Sequence, residues 1–254
     1  MRLKVLGCHG GESPSHRPTS FLIDDELLLD AGAVTRSLSL NDQLRVEAVF
    51  LSHSHLDHLK GLPLLCDNVV GKRSGPIEIV VTAGTADTLE QHLFNGKLWP
   101  DFTRIPTPEA PVVRIRRIPP NETVKVRGFE LLAVPVHHTV ECHGVIVTNG
   151  SGSLAYTGDT GPTDAFWATL REWPKLRAIL CEVSFPNASE ALARVSGHLT
   201  PALLAAELEK IPAVRAPIYV SHVKPGQEEI VHQEIAAIGD PRLRFSRLME
   251  EIVL

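Results

Sequence analysis

Ala48-Val49-Phe50-Leu51-Ser52-His53-Ser54-His55-Leu56-Asp57-His58 is the stretch on which the reading of this chain turns. Its four leading apolar residues form the short continuous run expected of a buried strand. Directly after them, three imidazoles and a carboxylate fall within six positions, where the strand leaves the core. His53 and His55 are two apart, so in extended chain they project to the same side. Asp57 and His58 can then fold round onto a second position as the chain turns toward Gly61-Leu62-Pro63. Neutral imidazole suits zinc, iron and other transition ions, and a carboxylate can bridge ions or aim a bound water. A polar turn accounts for one such residue but not for four. The helical pattern H-E-x-x-H is absent.

Working outward, other chemistry-bearing residues recur at the ends of apolar runs. His137 and His138 follow Leu131–Val136, and Asp159 follows the short strand in Ala155-Tyr156-Thr157-Gly158. Glu182 ends Ala178–Cys181, and His222 follows Ile218–Ser221. His198 stands just before Thr200-Pro201, a helix start with Thr as the cap and Pro at the first helical position. Such a series argues for a shared rim. Further strands are expected at Leu3–Leu6, Ser20–Ile23, Leu27–Leu29, Ile77–Val81, Val112–Ile118 and Phe129–Val136. Helical periodicity covers Gly84–Asn95, Thr163–Glu172, Pro201–Lys210 and Glu228–Ile238. Strands dominate each half and helices are interspersed, which favours stacked sheets covered by helices over a doubly wound or barrel fold. No linker parts the chain, so residues 1–254 read as one domain.

The 254 residues are 43% hydrophobic and only 5% aromatic, so the core must rest on Leu, Val, Ile and Ala. No apolar stretch approaches the ~18 residues of a membrane span, and the first residues carry no secretory pattern. The net charge of −5 disfavours a grip on long nucleic acid. The basic run Arg114-Ile115-Arg116-Arg117 reads as the exposed side of a strand. Cys8, Cys66, Cys142 and Cys181 form no CxxC pair and read as buried thiols of a reducing, cytoplasmic compartment. Neither a G-x-S-x-G elbow nor a phosphate-binding G-x-x-x-x-G-K-[ST] loop is present. Gly7-Cys8-His9-Gly10-Gly11 is expected to make a tight turn.

The histidine motif, Asp30 in Leu27-Leu28-Leu29-Asp30-Ala31-Gly32, Tyr156-Thr157-Gly158-Asp159-Thr160 and the late Ser221-His222 together resemble the metallo-β-lactamase superfamily. Within it, Thr19–Asp24, the Leu after His55, Glu182-Val183-Ser184-Phe185-Pro186-Asn187 and Gly197-His198-Leu199-Thr200-Pro201 look most like class II 3′,5′-cyclic-nucleotide phosphodiesterases. The resemblance implies an α/β (α+β) chain folded as an αββα four-layer sandwich, with two divalent metal ions on the rim between the sheets. Zinc is the first expectation, with manganese or iron as alternatives. Carried over, one ion would take His53, His55 and His138, the second Asp57, His58 and His222, and Asp159 would bridge them. The choice of His138 over His137 rests on His138-Thr139-Val140 leading to Gly144, which leaves His137 as packing. Asp30 would support the histidine loop from behind. His9, His16, His92, His143 and His232 match no ligand motif, although His16 and His143 are the two expected nearest to substrate.

The implied reaction is hydrolysis of cyclic AMP or cyclic GMP to the 5′-monophosphate by a metal-bound hydroxide. Asp57 would orient the nucleophile, and His198, poised by Glu182, would protonate the leaving alkoxide. A tRNA 3′-end endonuclease uses a similar site, but its long arm falls between the third and fourth motifs. Here Asp159 follows His138 by only 21 positions. A hydrolase of lactones, β-lactams or thioesters has less use for a Glu182/His198 pair. A cyclic phosphodiesterase acting on a phosphorylated sugar is not separable from one acting on nucleotides. A metal-dependent binding domain would need a damaged ligand set, and this set is complete. The expected partner is a small phosphodiester, with no membrane and with homodimerisation left open.

Overall fold

The computed structural model describes residues 1–254. Its strands are β1 (Arg2–Gly7), β2 (Ser20–Ile23), β3 (Leu27–Leu29), β4 (Ala48–Phe50), β5 (Ile77–Val81), β6 (Val113–Arg117) and β7 (Thr123–Val126). They continue as β8 (Phe129–Pro135), β9 (His143–Asn149), β10 (Gly152–Tyr156), β11 (Leu176–Glu182), β12 (Ile218–Ser221), β13 (Leu243–Phe245) and β14 (Glu251–Val253). The α-helices are α1 (Val34–Ser37), α2 (Leu40–Gln43), α3 (Leu56–Leu59), α4 (Gly61–Val69), α5 (Ala83–Thr88), α6 (Ala165–Arg171), α7 (Glu190–Ser196), α8 (Pro201–Leu208) and α9 (Glu228–Ile238). One seven-stranded sheet runs β14-β1-β2-β3-β4-β5-β6 and the other runs β13-β12-β11-β10-β9-β8-β7.

Alternation along the strands makes the four layers. Phe21, Ile23, Leu27, Leu29, Ala48 and Phe50 of the first sheet meet Leu131, Val145, Leu154 and Leu180 of the second in one buried layer between the sheets. The residues between them point the other way: Leu22, Leu28 and Val49 pack under the helices of the first sheet. Ile146, Ala155, Ile179 and Val220 do the same under those of the second. Both faces of these strands are therefore apolar, which is why they read as continuous runs. The helices supply matching stripes. In α4 the buried positions include Leu62, Leu65, Cys66 and Val69, and in α9 Val231 and Ile235. The αββα sandwich is thus the fold.

Parallel pairing decides where the chemistry lies. β3, β4, β5 and β6 are mutually parallel, as are β10, β11, β12 and β13. β8 and β10 each run antiparallel to β9, so they share a direction. The carboxyl ends of β8, β10, β11 and β12 consequently open on one edge.

Several expectations need correction. The helix expected over Gly84–Asn95 is α5 followed by a π-helical turn at Leu89–Leu93. The turn expected toward Gly61-Leu62-Pro63 is instead the junction of two helices, α3 and α4; Pro63 falls in the first turn of α4, where its missing N–H costs nothing. The half-exposed edge strands β7, β13 and β14 were not anticipated. The basic run lies on edge strand β6 as expected. Arg117 pairs with Asp87 and Glu90, and Arg116 with Glu78, so its charge is largely spent locally. All four cysteines are buried and free. No helix is long and apolar enough to cross a membrane.

Candidate metal centre

Chain leaving β4 brings His53 in and starts α3, with His55 as its N-cap residue. His58, one turn on, faces back into the site. His138 follows β8, Asp159 follows β10, and His222 follows β12. The ligand-type atoms of His53, His55 and His138 lie within 4.8 Å of one another, as do those of Asp57, His58 and His222. Oδ2 of Asp159 sits among them, 3.2 Å from His58 Nε2, 3.3 Å from His222 Nε2 and 3.8 Å from His53 Nε2. All seven residues expected from the sequence are therefore brought together. His53, His58, His222 and Asp159 are buried, while the Asp57 side chain is 30% exposed and forms the open side.

Each inward-facing nitrogen is set by what holds the other nitrogen of its ring. Asp30 Oδ2 accepts from Ser52 Oγ at 2.8 Å, His58 Nδ1 at 2.7 Å and Tyr156 Oη at 2.6 Å, and Oδ1 accepts from the Ser52 amide at 2.8 Å. Ser52 Oγ has a single proton and gives it to Asp30, so it accepts from His53 Nδ1, 2.9 Å away. Nε2 of both His53 and His58 is then the atom turned into the site, and it offers a lone pair to a cation that takes the place of a proton there. On the other side, Glu182 and Ser184 repeat the device. Ser184 Oγ donates to Glu182 Oε2 at 3.1 Å and accepts from His222 Nδ1 at 2.9 Å. His138 Nδ1 donates to the Gly197 carbonyl at 2.9 Å, leaving its Nε2 3.1 Å from His55 Nδ1. Paired nitrogens at such separations, with the buried His53 Nε2 and Asp159 Oδ1 lacking any partner, are a donor set suited to cations.

Electrostatics agree. Burial opposes a charged His58, but Asp159 and Asp30 outweigh it and hold its pKa well above the ordinary imidazole value. Burial, reinforced by the neighbouring His58, pushes His53 well below that value. Burial would raise both Asp159 and Asp57, yet the surrounding imidazoles keep both carboxyls below their usual range. The cluster thus favours positive charge at its centre.

Glu182 and His198 lie beside it. His198 Nδ1 is 2.8 Å from Glu182 Oε1, and the ring stacks on His222 with centroids 5.5 Å apart. Burial opposes its charge, but Glu182 and then Asp159 raise its pKa above the ordinary value.

Backbone geometry accommodates this crowding. Gly158 turns the chain after β10 at φ +62°, where a Cβ would stand 2.9 Å from Ser52 Cβ. Gly197 at φ +66° lets its carbonyl reach His138. Asp30 and His222 themselves sit at φ 56° and 67°, a conformation uncommon for residues with side chains and concentrated at functional sites.

His137, expected as packing, is exposed; only its carbonyl is used, accepting from the Gly161 amide at 2.7 Å. His143 is buried against Thr82, its Nδ1 3.2 Å from the Thr82 hydroxyl. Sequence reasoning assigned no role to Ser52, Tyr156 or Ser184. Their signal was only their place within the motifs that carry His53, Asp159 and Glu182.

A profile of the beta-lactamase superfamily domain matches residues 26–221. A Yersinia pestis protein named as a probable 3′,5′-cyclic-nucleotide phosphodiesterase is 28% identical, with 97% of this chain and 86% of the relative covered. A ribonuclease Z from Treponema pallidum is 40% identical, but over only 55% of this chain and 45% of its own length. Unliganded yeast PDE1 superposes with a TM-score of 0.83 at 19% identity, covering 100% of this chain and 99% of that one, a likeness of fold. With the fold, the motif order and the profile in agreement, the chain belongs to the beta-lactamase superfamily, as a hydrolase of the metallo-β-lactamase fold.

Proposed function

We propose that this protein is a phosphodiesterase that opens a 3′,5′-cyclic nucleotide, cyclic AMP or cyclic GMP, to the 5′-monophosphate with two divalent metal ions. His53, His55 and His138 would hold one ion and Asp57, His58 and His222 the other, with Asp159 between them. Five imidazoles and two carboxylates suit zinc first, then manganese or iron. Such ions, when bound, would supply Lewis acidity toward phosphoryl oxygens and would lower the pKa of water from about 15.7 toward about 7.

The observation that carries the reading is the Glu182–His198 pair at 2.8 Å beside the ligand cluster. Opening the ring breaks the bond from phosphorus to the 3′ oxygen, whose alkoxide needs a proton. Glu182 holds Nδ1 of His198, so Nε2 is the atom that donates it. Asp57, the open carboxylate of the set, orients the attacking water. Support also comes from the relative covered over 86% of its length and named for this activity. The short path from His138 to Asp159, spanned by β9 and β10, leaves no room for a tRNA-gripping arm. Four unpaired thiols favour a cytoplasmic setting.

The test is turnover by metal-reconstituted protein of cyclic AMP, cyclic GMP, an aryl phosphodiester and a pre-tRNA. Hydrolysis of a cyclic nucleotide is expected; pre-tRNA cleavage with neither cyclic nucleotide turned over would reject the proposal.

A further inference from the structure

A second group of ligand-type side chains lies behind His222 and outside the set above. The chain after β1 runs beside the His222 loop: the His222 amide donates to the Cys8 carbonyl at 2.7 Å, and the Gly10 amide to Val223 at 3.0 Å. Residues 10–18 then double back so that the His9 amide donates to the Arg17 carbonyl and the His16 ring meets His9 edge-on, centroids 4.7 Å apart. Glu228, the first residue of α9, closes the group. The ligand-type atoms of His9, His16 and Glu228 all lie within 4.8 Å of one another.

Three observations raise this above a chance ion pair. His16 Nε2 and Glu228 Oε1 are 2.6 Å apart, yet Oε1 has no aligned hydrogen-bond donor. Oε1 is therefore free to accept, and both atoms can serve one cation by parting to the roughly 3.3 Å that tetrahedral ligands about 2.0 Å from zinc require. Each imidazole also has its Nδ1 engaged from outside: His16 by the Ser13 hydroxyl, and His9 by the Arg17 backbone, whose amide lies 3.1 Å and whose carbonyl 3.2 Å from it; the carbonyl accepts from Nδ1 when the Nε2 lone pair faces a cation. Such support of the far nitrogen is how ligand histidines are usually oriented. Finally, Glu228 and His9 border a cavity of about 90 Å³ that Cys8, Ser221 and Ser246 also line. Three buried polar atoms without partners, Glu228 Oε1, Ser221 Oγ and Ser246 Oγ, belong to residues of that lining. The cavity therefore offers unpartnered polar atoms to water beside Val220, Val223 and Phe245, and is large enough for water to complete a coordination shell.

We propose that His9, His16 and Glu228 form a third divalent-cation site, separate from the catalytic pair. Two neutral imidazoles and one carboxylate are a donor set for zinc or a similar transition ion, with a fourth position open to the cavity. Its role is structural. It ties the 10–18 loop to α9 across the segment that carries His222, and Gly10 packs so tightly there that a Cβ would stand 2.5 Å from the His222 carbonyl.

The experiment counts metal, independently of any turnover. Full-length protein is stripped with chelator, reloaded with Zn²⁺, desalted and analysed for zinc per chain, alongside His9→Ala/His16→Ala and Glu228→Gln. Wild type should retain about three ions and both variants about two, because ligand removal abolishes one site and leaves the other intact. Circular dichroism checks folding; should the double variant misfold, Glu228→Gln decides, since it keeps the side-chain shape. Two ions in wild type and the same two in the variants would overturn the proposal. So would loss of every ion from a natively folded variant, which would make these residues props of the main centre.

Discussion

Asp30→Asn isolates the carboxylate behind the histidine loop. Asp30 is fully buried and accepts four hydrogen bonds, three at Oδ2 and one at Oδ1. Asn tolerates the left-handed backbone at this position, so strain is not the issue. The issue is that an amide has only one accepting atom. With its oxygen toward Ser52 Oγ, His58 Nδ1 and Tyr156 Oη, its NH₂ faces the Ser52 amide, donor against donor. Turning it over sets three donors against the NH₂ instead, and Tyr156 cannot yield its proton, because burial, the leading cause of its raised pKa, persists in the variant. The better orientation leaves one buried N–H unsatisfied, a cost of roughly 1–3 kcal/mol. His58 also loses its charged acceptor, and outer partners of this kind are worth about 10–100-fold in metal affinity.

Chelator competition should therefore show Zn²⁺ affinity falling about 10–100-fold, and urea titration should show a loss of about 1–3 kcal/mol in stability. Both values unchanged would mean that Asp30 does not act on the centre through these bonds. A loss of stability with full metal affinity would confine it to folding.

Replacing the proposed acid should separate chemistry from metal binding: His198→Ala should keep its metal but lose about 10²–10⁴-fold in turnover of a cyclic nucleotide, and far less with a nitrophenyl phosphodiester, whose leaving group hardly needs a proton. Equal losses on both substrates would remove the assignment. The raised pKa of His198 puts its protonated form above the ordinary value of 6.5, so kcat should fall as pH rises through that higher value. Glu182→Gln should move this limb to lower pH. The stability that the pair contributes should be complete below 6.5 and disappear as pH climbs through the raised value, which pH-dependent unfolding of the two proteins would reveal. The proposed cyclic-nucleotide substrate would bring a single negative charge, so KM should depend only shallowly on salt; a steep slope would indicate a polyanion instead.

How much of this was legible in the sequence follows from what each residue leans on. His53, Asp159, Glu182 and His222 stand at the ends of runs such as Ala48–Leu51 and Ile218–Ser221, apolar on both faces because each strand lies between two core layers. Buried strands and their exits are therefore the loudest signal in this chain. His137 against His138 was settled only by motif spacing, since adjacent residues at a strand exit look alike until the turn is known. α3 and α4 were hidden because Gly61 and Pro63, which usually mark a turn, fall where a helix begins. β7, β13 and β14 were hidden because, at the sheet edges, one pairing partner and half-exposed side chains leave no continuous apolar run. His9, His16 and Glu228 meet only because the loop after β1 folds back under α9, a contact that no local pattern encodes.

The two sheets solve one problem in the same way. An imidazole binds a cation only through a lone pair, and which nitrogen bears it is set by the partner of the other nitrogen. The first sheet supplies Asp30 with Ser52 and so orients His53 and His58. The second supplies Glu182 with Ser184 and so orients His222. In each pair the carboxylate takes the serine proton, which turns the hydroxyl into an acceptor for the ring N–H. The pairs differ in what else the carboxylate holds. Asp30 is saturated by Tyr156 and the Ser52 amide, deep behind the centre. Glu182 Oε1 is shared between the Thr160 amide at 3.1 Å and His198 at 2.8 Å, at the side where substrate would lie. One carboxylate–serine pair is thus committed wholly to holding the proposed ligands, whereas the other also raises the pKa of an imidazole that can part with its proton. That asymmetry makes the second sheet the side on which the leaving group should stand.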